Sequence, residues 1–230
     1  MNVSIFPVTG IGEVQPGDDL PALLVEALRP LSPGDGDVLV VTQKVVSKAE
    51  GAIATAASEA DYRAVVEREA AAVLRRRGPM VITVTKHGFV CANAGVDRSN
   101  VPQGQVVLLP TNPDRSAHSI RLRVEREFGI AIAVIVTDTF GRAWRQGLVD
   151  VAIGVSGMLP ILDLRGTPDM NGRLLEVTEV AIADELAAAA ELVVGKASGI
   201  PAALIKGVNY PRGDGRATDL IRPPATDLFR

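Results

Sequence analysis

The stretch "VIVTDTFGRAWR", residues 134–145, passes within a few positions from pure hydrocarbon to concentrated charge. Its first residues close an aliphatic, largely β-branched run, Ile130 to Val136, that suits a strand covered on both faces and leaves no place for a charge before Thr137. Polar groups then gather where the strand is expected to stop. Asp138 stands between Thr137 and Thr139, Gly141 lets the chain turn, and Arg142 and Arg145 follow. A carboxylate flanked by hydroxyls offers hard oxygen ligands to a divalent cation, and guanidinium groups match phosphate oxygens. The alternative is that Asp138 caps a following helix while the two arginines are solvated surface charges.

Outward from that stretch, the pattern recurs. "DGDVLVVTQKVVSKAEG", residues 35–51, opens with turn residues, runs through four apolar positions and ends in Thr42, Gln43, Lys44, Ser47 and Lys48. "NVSIFPV" reads as a strand, and "TGIGEVQPGDDL" as a loop in which Asp18 or Asp19 caps a helix through "PALLVEAL". Residues 58–77 are charged and alanine-rich with Leu and Val at helical spacing, which predicts one amphipathic surface helix. "MVITVTKHGFVCANAGVDRSN" predicts a hairpin turning near Lys86 to Gly88, then a loop carrying Asn93, Asp97 and Asn100. "NPDRSAHSIRLRVEREFG" reads as a turn and helix with Ser116 as cap, and "EVTEVAIADELAAAAELVVGK" as a helix ending at Gly195. "PAALIKG" is the last strong strand. The expected class is α+β, with mixed sheets, hairpins and surface helices in one domain spanning residues 1–230.

Composition narrows the function. With 230 residues, 47% of them hydrophobic, the chain can bury a core without covalent staples, and a net charge of -3 argues against a general nucleic-acid binder. A lone cysteine, Cys91, excludes an internal disulfide and reads as a buried apolar residue. No charged-then-apolar leader is evident, so a cytoplasmic location is expected, and no apolar run reaches the roughly 20 residues that span a bilayer. His87 and His118 lack companions at metal-ligand spacing, and Trp144 is expected in the core or an interface.

Two polar sets remain. Asp97, Asn100, Asp138 and Thr139 follow two separate apolar strands and converge if those strands are neighbours; otherwise they are ordinary Asx turns. Gln43, Lys44, Ser47 and Lys48, with "GIGEV" at 10–14 as a backbone cradle, could meet phosphate, but the glycine of a Walker loop is missing and a solvated loop is the plainer reading.

Together "GDDL" at 17–20, "DGDVLVVTQKVVSKAEG" at 35–51, "NAGVDRSNV" at 93–101, "TDTFGRAWRQG" at 137–147, "NGRLLEVTEVAIADELAAAAELVVGK" and "IPAALIKG" resemble the coenzyme F420-0:L-glutamate ligases along essentially the whole chain. The resemblance implies a two-lobed, intertwined homodimer that uses GTP and Mg2+ or Mn2+, with potassium as a further cation, to couple L-glutamate by a γ-linkage to the lactyl-phospho side chain of coenzyme F420-0. It implies that Asp97, Asp138 and Thr139 hold metal and that Asn100 contacts the nucleotide. The family's nucleotide loop falls on Ile11, Gly12, Glu13 and Val14, and its phosphate-side lysine on Lys48. Gln43 stands where the family has a nucleotide-contacting serine, and Lys196 where archaeal members have a glutamate metal ligand. Arg142 and Arg145 are candidates for phosphate contacts in catalysis, an assignment drawn from the residues rather than the family. Members of this kind also occur beside a flavin-binding reductase domain, fused or separate. A reading of another class is a sensor module that grips GTP and metal without transferring anything.

Overall fold

The computed structural model describes residues 2–228. In chain order the elements are β1 (Ser4–Val8), α1 (Leu20–Leu28), β2 (Val38–Thr42), α2 (Gln43–Ala49), β3 (Ile53–Thr55), α3 (Glu59–Glu69), β4 (Ala70–Arg77), β5 (Met80–Thr85), β6 (Val90–Ala92), β7 (Gln105–Val107), α4 (Pro113–Phe128), β8 (Ala133–Arg142), β9 (Arg145–Ser156), β10 (Leu162–Asp163), β11 (Glu179–Val180), α5 (Ile182–Val194) and β12 (Ala202–Lys206). A five-stranded sheet in the order β1-β12-β2-β8-β9 forms the centre. Within it β2 and β8 run parallel and every other pairing is antiparallel. The α+β class with mixed sheets therefore holds.

The unbroken apolar runs are explained by burial on both faces. Successive β2 residues alternate sides: Leu39 and Val41 meet α1 and α4, whereas Val38 and Val40 meet α5. In β8 the same alternation sends Val134 and Val136 one way and Ala133 and Ile135 the other. The α5 face is built from Ala183, Ala187 and Ala190, so this helix can approach the sheet closely. A second lobe has its own cluster, with Val65 and Val66 of α3 packed on Val96 and Val106, beside the three-stranded sheet β4-β5-β6.

Helix ends follow side-chain chemistry. Asp19 caps α1 by accepting the Ala22 N–H, and Ser58 with Asp61 forms a reciprocal capping box on α3. The expected caps and elements are corrected in four places. Asn112 caps α4, while Ser116 lies within the helix and donates to Glu50 at 2.5 Å. The helix expected over 58–77 ends at Glu69, and residues 70–77 form β4, because pairing with β5 outweighs alanine's helical preference. The polar segment after β2 is the helix α2, with Ser47 and Lys48 buried. Finally, β8 does not stop at Thr137 but continues to Arg142 and turns back as β9; no helix follows for Asp138 to cap.

Candidate active site

Parallel pairing places both polar strand ends on one edge of the sheet, with Thr42 opposite Thr137. The buried part of β8 ends there, and a register irregularity between Val136 and Thr137 re-aims the residues that follow. A cavity of about 560 Å³ opens at this edge, a size suited to a small ligand. Gly12, Glu13 and Val14 form one wall, α2 brings Lys44 and Lys48, β8 brings Asp138 and Thr139, and the segment after α5 brings Lys196. Asn100, with its backbone in the left-handed region at φ 58°, completes the rim.

Every cation here already meets an anion. Lys48 is almost fully buried and donates to Glu13 at 2.5 Å; Lys44 pairs with Asp97 at 2.6 Å. Lys196 donates to Asp150 at 2.7 Å and also to the Thr139 hydroxyl, which in turn donates to Asp150 at 2.6 Å. Burial, reinforced by the charges of Asp97 and Asp150 and opposed by the Thr139 N–H and Lys44, pushes the Asp138 carboxyl up to about 7. Burial works the same way on Asp97, but the hydrogen bond and charge of Lys44, with bonds from Ser99, hold its carboxyl below the usual range. Burial opposes the Lys196 ammonium, yet Asp150 and Glu191 raise it overall. Cys91 is buried, and desolvation with the Asp138 charge pushes its thiol up to about 12, which removes it as a nucleophile at neutral pH.

The residues singled out in the sequence separate into groups. Gly12, Glu13, Val14, Gln43, Lys48, Asn100, Asp138, Thr139 and Lys196 all line the cavity. Ile11 faces the core instead. Asp97 is not in the wall and reaches the site through Lys44; its backbone is fixed by paired bonds to Val107 rather than by a strand beside β8. Gln43 spends its amide nitrogen on Ser47 and the Leu108 carbonyl, each at 2.7 Å. Arg142 and Arg145 sit in the exposed turn between β8 and β9, where Arg142 donates to the Gln146 carbonyl, and neither lines the cavity. Trp144 is exposed at the same turn and so is not a core residue. Asp150, buried in mid-strand, had no signal in sequence spacing; the antiparallel register that sets it opposite Thr139 is what reveals it.

Among the described residues, no group of three or more His, Cys, Asp or Glu side chains stands ready to ligate a metal. The donors suit a hard divalent cation nonetheless. A desolvated Asp138, facing the charges of Asp97 and Asp150, gains from a positive ion that removes the repulsion, and ligand oxygens can fill out the shell.

A family model described as F420-0:gamma-glutamyl ligase matches residues 10–207, which include the whole cavity wall. The chain belongs to this family. Among similar proteins of the F420-0:gamma-glutamyl ligase kind, the coenzyme F420:L-glutamate ligase of Methanothermobacter thermautotrophicus is 42% identical over 253 residues, covering 100% of both chains. That of Methanocaldococcus jannaschii is 43% identical over 213 residues, covering 85% of each, and that of Methanopyrus kandleri is 41% identical, covering 98% of this chain and 97% of its own.

Proposed function

We propose that this protein is a coenzyme F420-0:L-glutamate ligase that consumes GTP and requires Mg2+ or Mn2+. The observation that carries the reading is the cavity at the ends of β2 and β8, where buried carboxylate and three lysines meet in a chain of this family. Such a site suits a reaction that handles phosphate negative charge beside a carboxylate acceptor.

A carboxylate does not acylate an amine directly, because oxide is a poor leaving group. The lactyl carboxylate of coenzyme F420-0 attacks the γ-phosphorus of GTP, the bond to the β-phosphate oxygen breaks, and GDP leaves. The glutamate amine then attacks the acyl carbon of the resulting acyl phosphate, inorganic phosphate departs, and the amine loses a proton. Lys48 and Lys44 supply fixed positive charge to the phosphates, and the backbone of Gly12 to Val14 borders the nucleotide with Asn100 opposite. Asp138 and Asp97 would hold the divalent ion, whose contribution when bound is to offset charge on the phosphate oxygens, while the Thr139 hydroxyl stays bonded between Lys196 and Asp150. The arginines of the β8–β9 turn take no part in this scheme. The assembly is a homodimer, a reading supported by the apolar Leu148 and Leu174 left exposed on a single chain.

The test is incubation with coenzyme F420-0, GTP, Mg2+ or Mn2+ and glutamate, followed by mass spectrometry and nucleotide analysis. Products heavier by glutamyl units, with GDP released only when acceptor and amino acid are both present, are expected. GTP binding with no mass shift would instead leave a sensor module.

A further inference from the structure

Two of the three cavity lysines, Lys44 and Lys196, are not held alike. Lys44 meets one carboxylate, that of Asp97. Lys196 meets three oxygens: it donates to the Thr139 hydroxyl, pairs with Asp150 at 2.7 Å, and approaches Glu191 at 3.4 Å. Asp150 is only 6% exposed in its side chain, and its Oδ1 also accepts the Thr139 hydroxyl. The Thr139 oxygen thus gives one hydrogen bond and receives another, both within the protein. Position follows from the helix: α5 ends at Gly195, whose φ of 61° turns the chain and delivers Lys196 beside β8 and β9. Two carboxylates around a hydroxyl are hard oxygen donors of the sort a divalent ion selects, and here an ammonium fills their midst.

We propose that Lys196 is a specificity-determining residue: its ammonium occupies the Thr139, Asp150 and Glu191 oxygens and excludes a divalent cation from them, confining divalent metal to the Asp97 and Asp138 side. This deepens the ligase reading and rests on it for the assignment of Asp97 and Asp138. The charge that a second ion would bring is then carried by the chain itself. It differs from a bound ion in being single, tethered and independent of metal supply. An anionic donor in place of Lys196 would reverse the preference, since it would add a ligand and remove the like-charge repulsion that an incoming cation meets.

The experiment counts Mn2+ bound per chain, by the loss of the free-ion electron paramagnetic resonance signal and by calorimetry, on the full protein without nucleotide. Lys196→Ala is expected to bind one more Mn2+ than the unmodified protein, and adding Asp150→Asn to it should abolish the extra site. Lys196→Met, which keeps the methylene chain, serves if the alanine variant is poorly folded by circular dichroism. An unchanged count in a folded Lys196 variant overturns the proposal, as does an extra site that survives Asp150→Asn. The underlying reading is judged separately by Asp138→Asn with Lys196 in place. If that change leaves the Mn2+ count of the parent intact, Asp138 does not hold metal, whatever the Lys196 variants show.

Discussion

Asp138 is desolvated by the wall that makes it useful. Burial pushes its carboxyl up to about 7, well above the ordinary carboxylate range, so the native protein binds a proton more tightly than the unfolded chain does. The sign is therefore destabilising for the ionised form: the penalty is absent below about pH 4, grows as pH rises, and is complete above about pH 7, at on the order of 2–4 kcal/mol. In chelator, Asp138→Asn should raise Tm by several degrees at pH 8, with the gain vanishing toward pH 4; a constant difference across that range would refute the shift. Lys48 supports a second prediction. Lys48→Met should leave circular dichroism unchanged while raising KM for GTP about tenfold or more, the loss of one charge-assisted contact. Of the residues lining this cavity, Asp138, Thr139 and Asn100 were legible because each follows an apolar run in a distinctive polar cluster, whereas Lys48, in a segment that reads as a solvated loop, was singled out only by the family resemblance. Asp150 was not, since a single carboxylate in "LVDVAIG" looks like an outward-facing strand residue until register places it against Thr139.

Strands and helices were readable where one face or both were apolar, and misread where a polar or alanine-rich strand is held by the next strand returning across a tight turn. The run at 130–136 announced a buried strand, yet the polar residues after Val136 hid that β8 continues through Asp138 and Thr139, supported by β9 returning across a tight turn. Residues 70–77 carry alanines and arginines that favour a helix, and only the register with β5 makes them a strand. The packing of α4 on β9, by contrast, joins segments separated along the chain by β8. A Cβ added at Gly154 would lie 2.4 Å from the Pro113 carbonyl oxygen, so the helix start rests directly on the strand. Nearby, Asp114 accepts the Val155 N–H at 2.8 Å and the Ala217 N–H at 3.1 Å, tying both segments to that helix. Gly154→Ala must push α4 outward and should cost about 1–3 kcal/mol, read as a lowered urea midpoint with unchanged slope. An alanine variant as stable as the parent would show that the contact yields easily.

At the scale of the molecule, one lobe is a sheet clad on both faces and the other a smaller cluster, with the cavity wall drawing on six separated stretches of chain. No helix among the described residues is long and apolar enough to cross a membrane. The exposed turn carrying Trp144, with Leu148 just beyond it, leads to a prediction for the homodimer: sedimentation at micromolar concentration should give two chains, and Leu148→Asp should shift the equilibrium toward one. A monomeric parent protein would remove the assembly from the proposal. The order β1-β12-β2 has a consequence for how the chain is made. The strand of the main sheet that emerges last from the ribosome must enter between the two that emerged first, and it is the segment leading into β12 whose Pro201 carbonyl accepts the Thr42 N–H at 2.8 Å. Until that moment β1 lacks its partner and β2 presents a bare edge to every neighbouring nascent chain. Synthesis stalled after α5 would leave a sticky intermediate with one side of the cavity mouth unsupported. Completion of the cavity and escape from misassociation thus become one late event in translation.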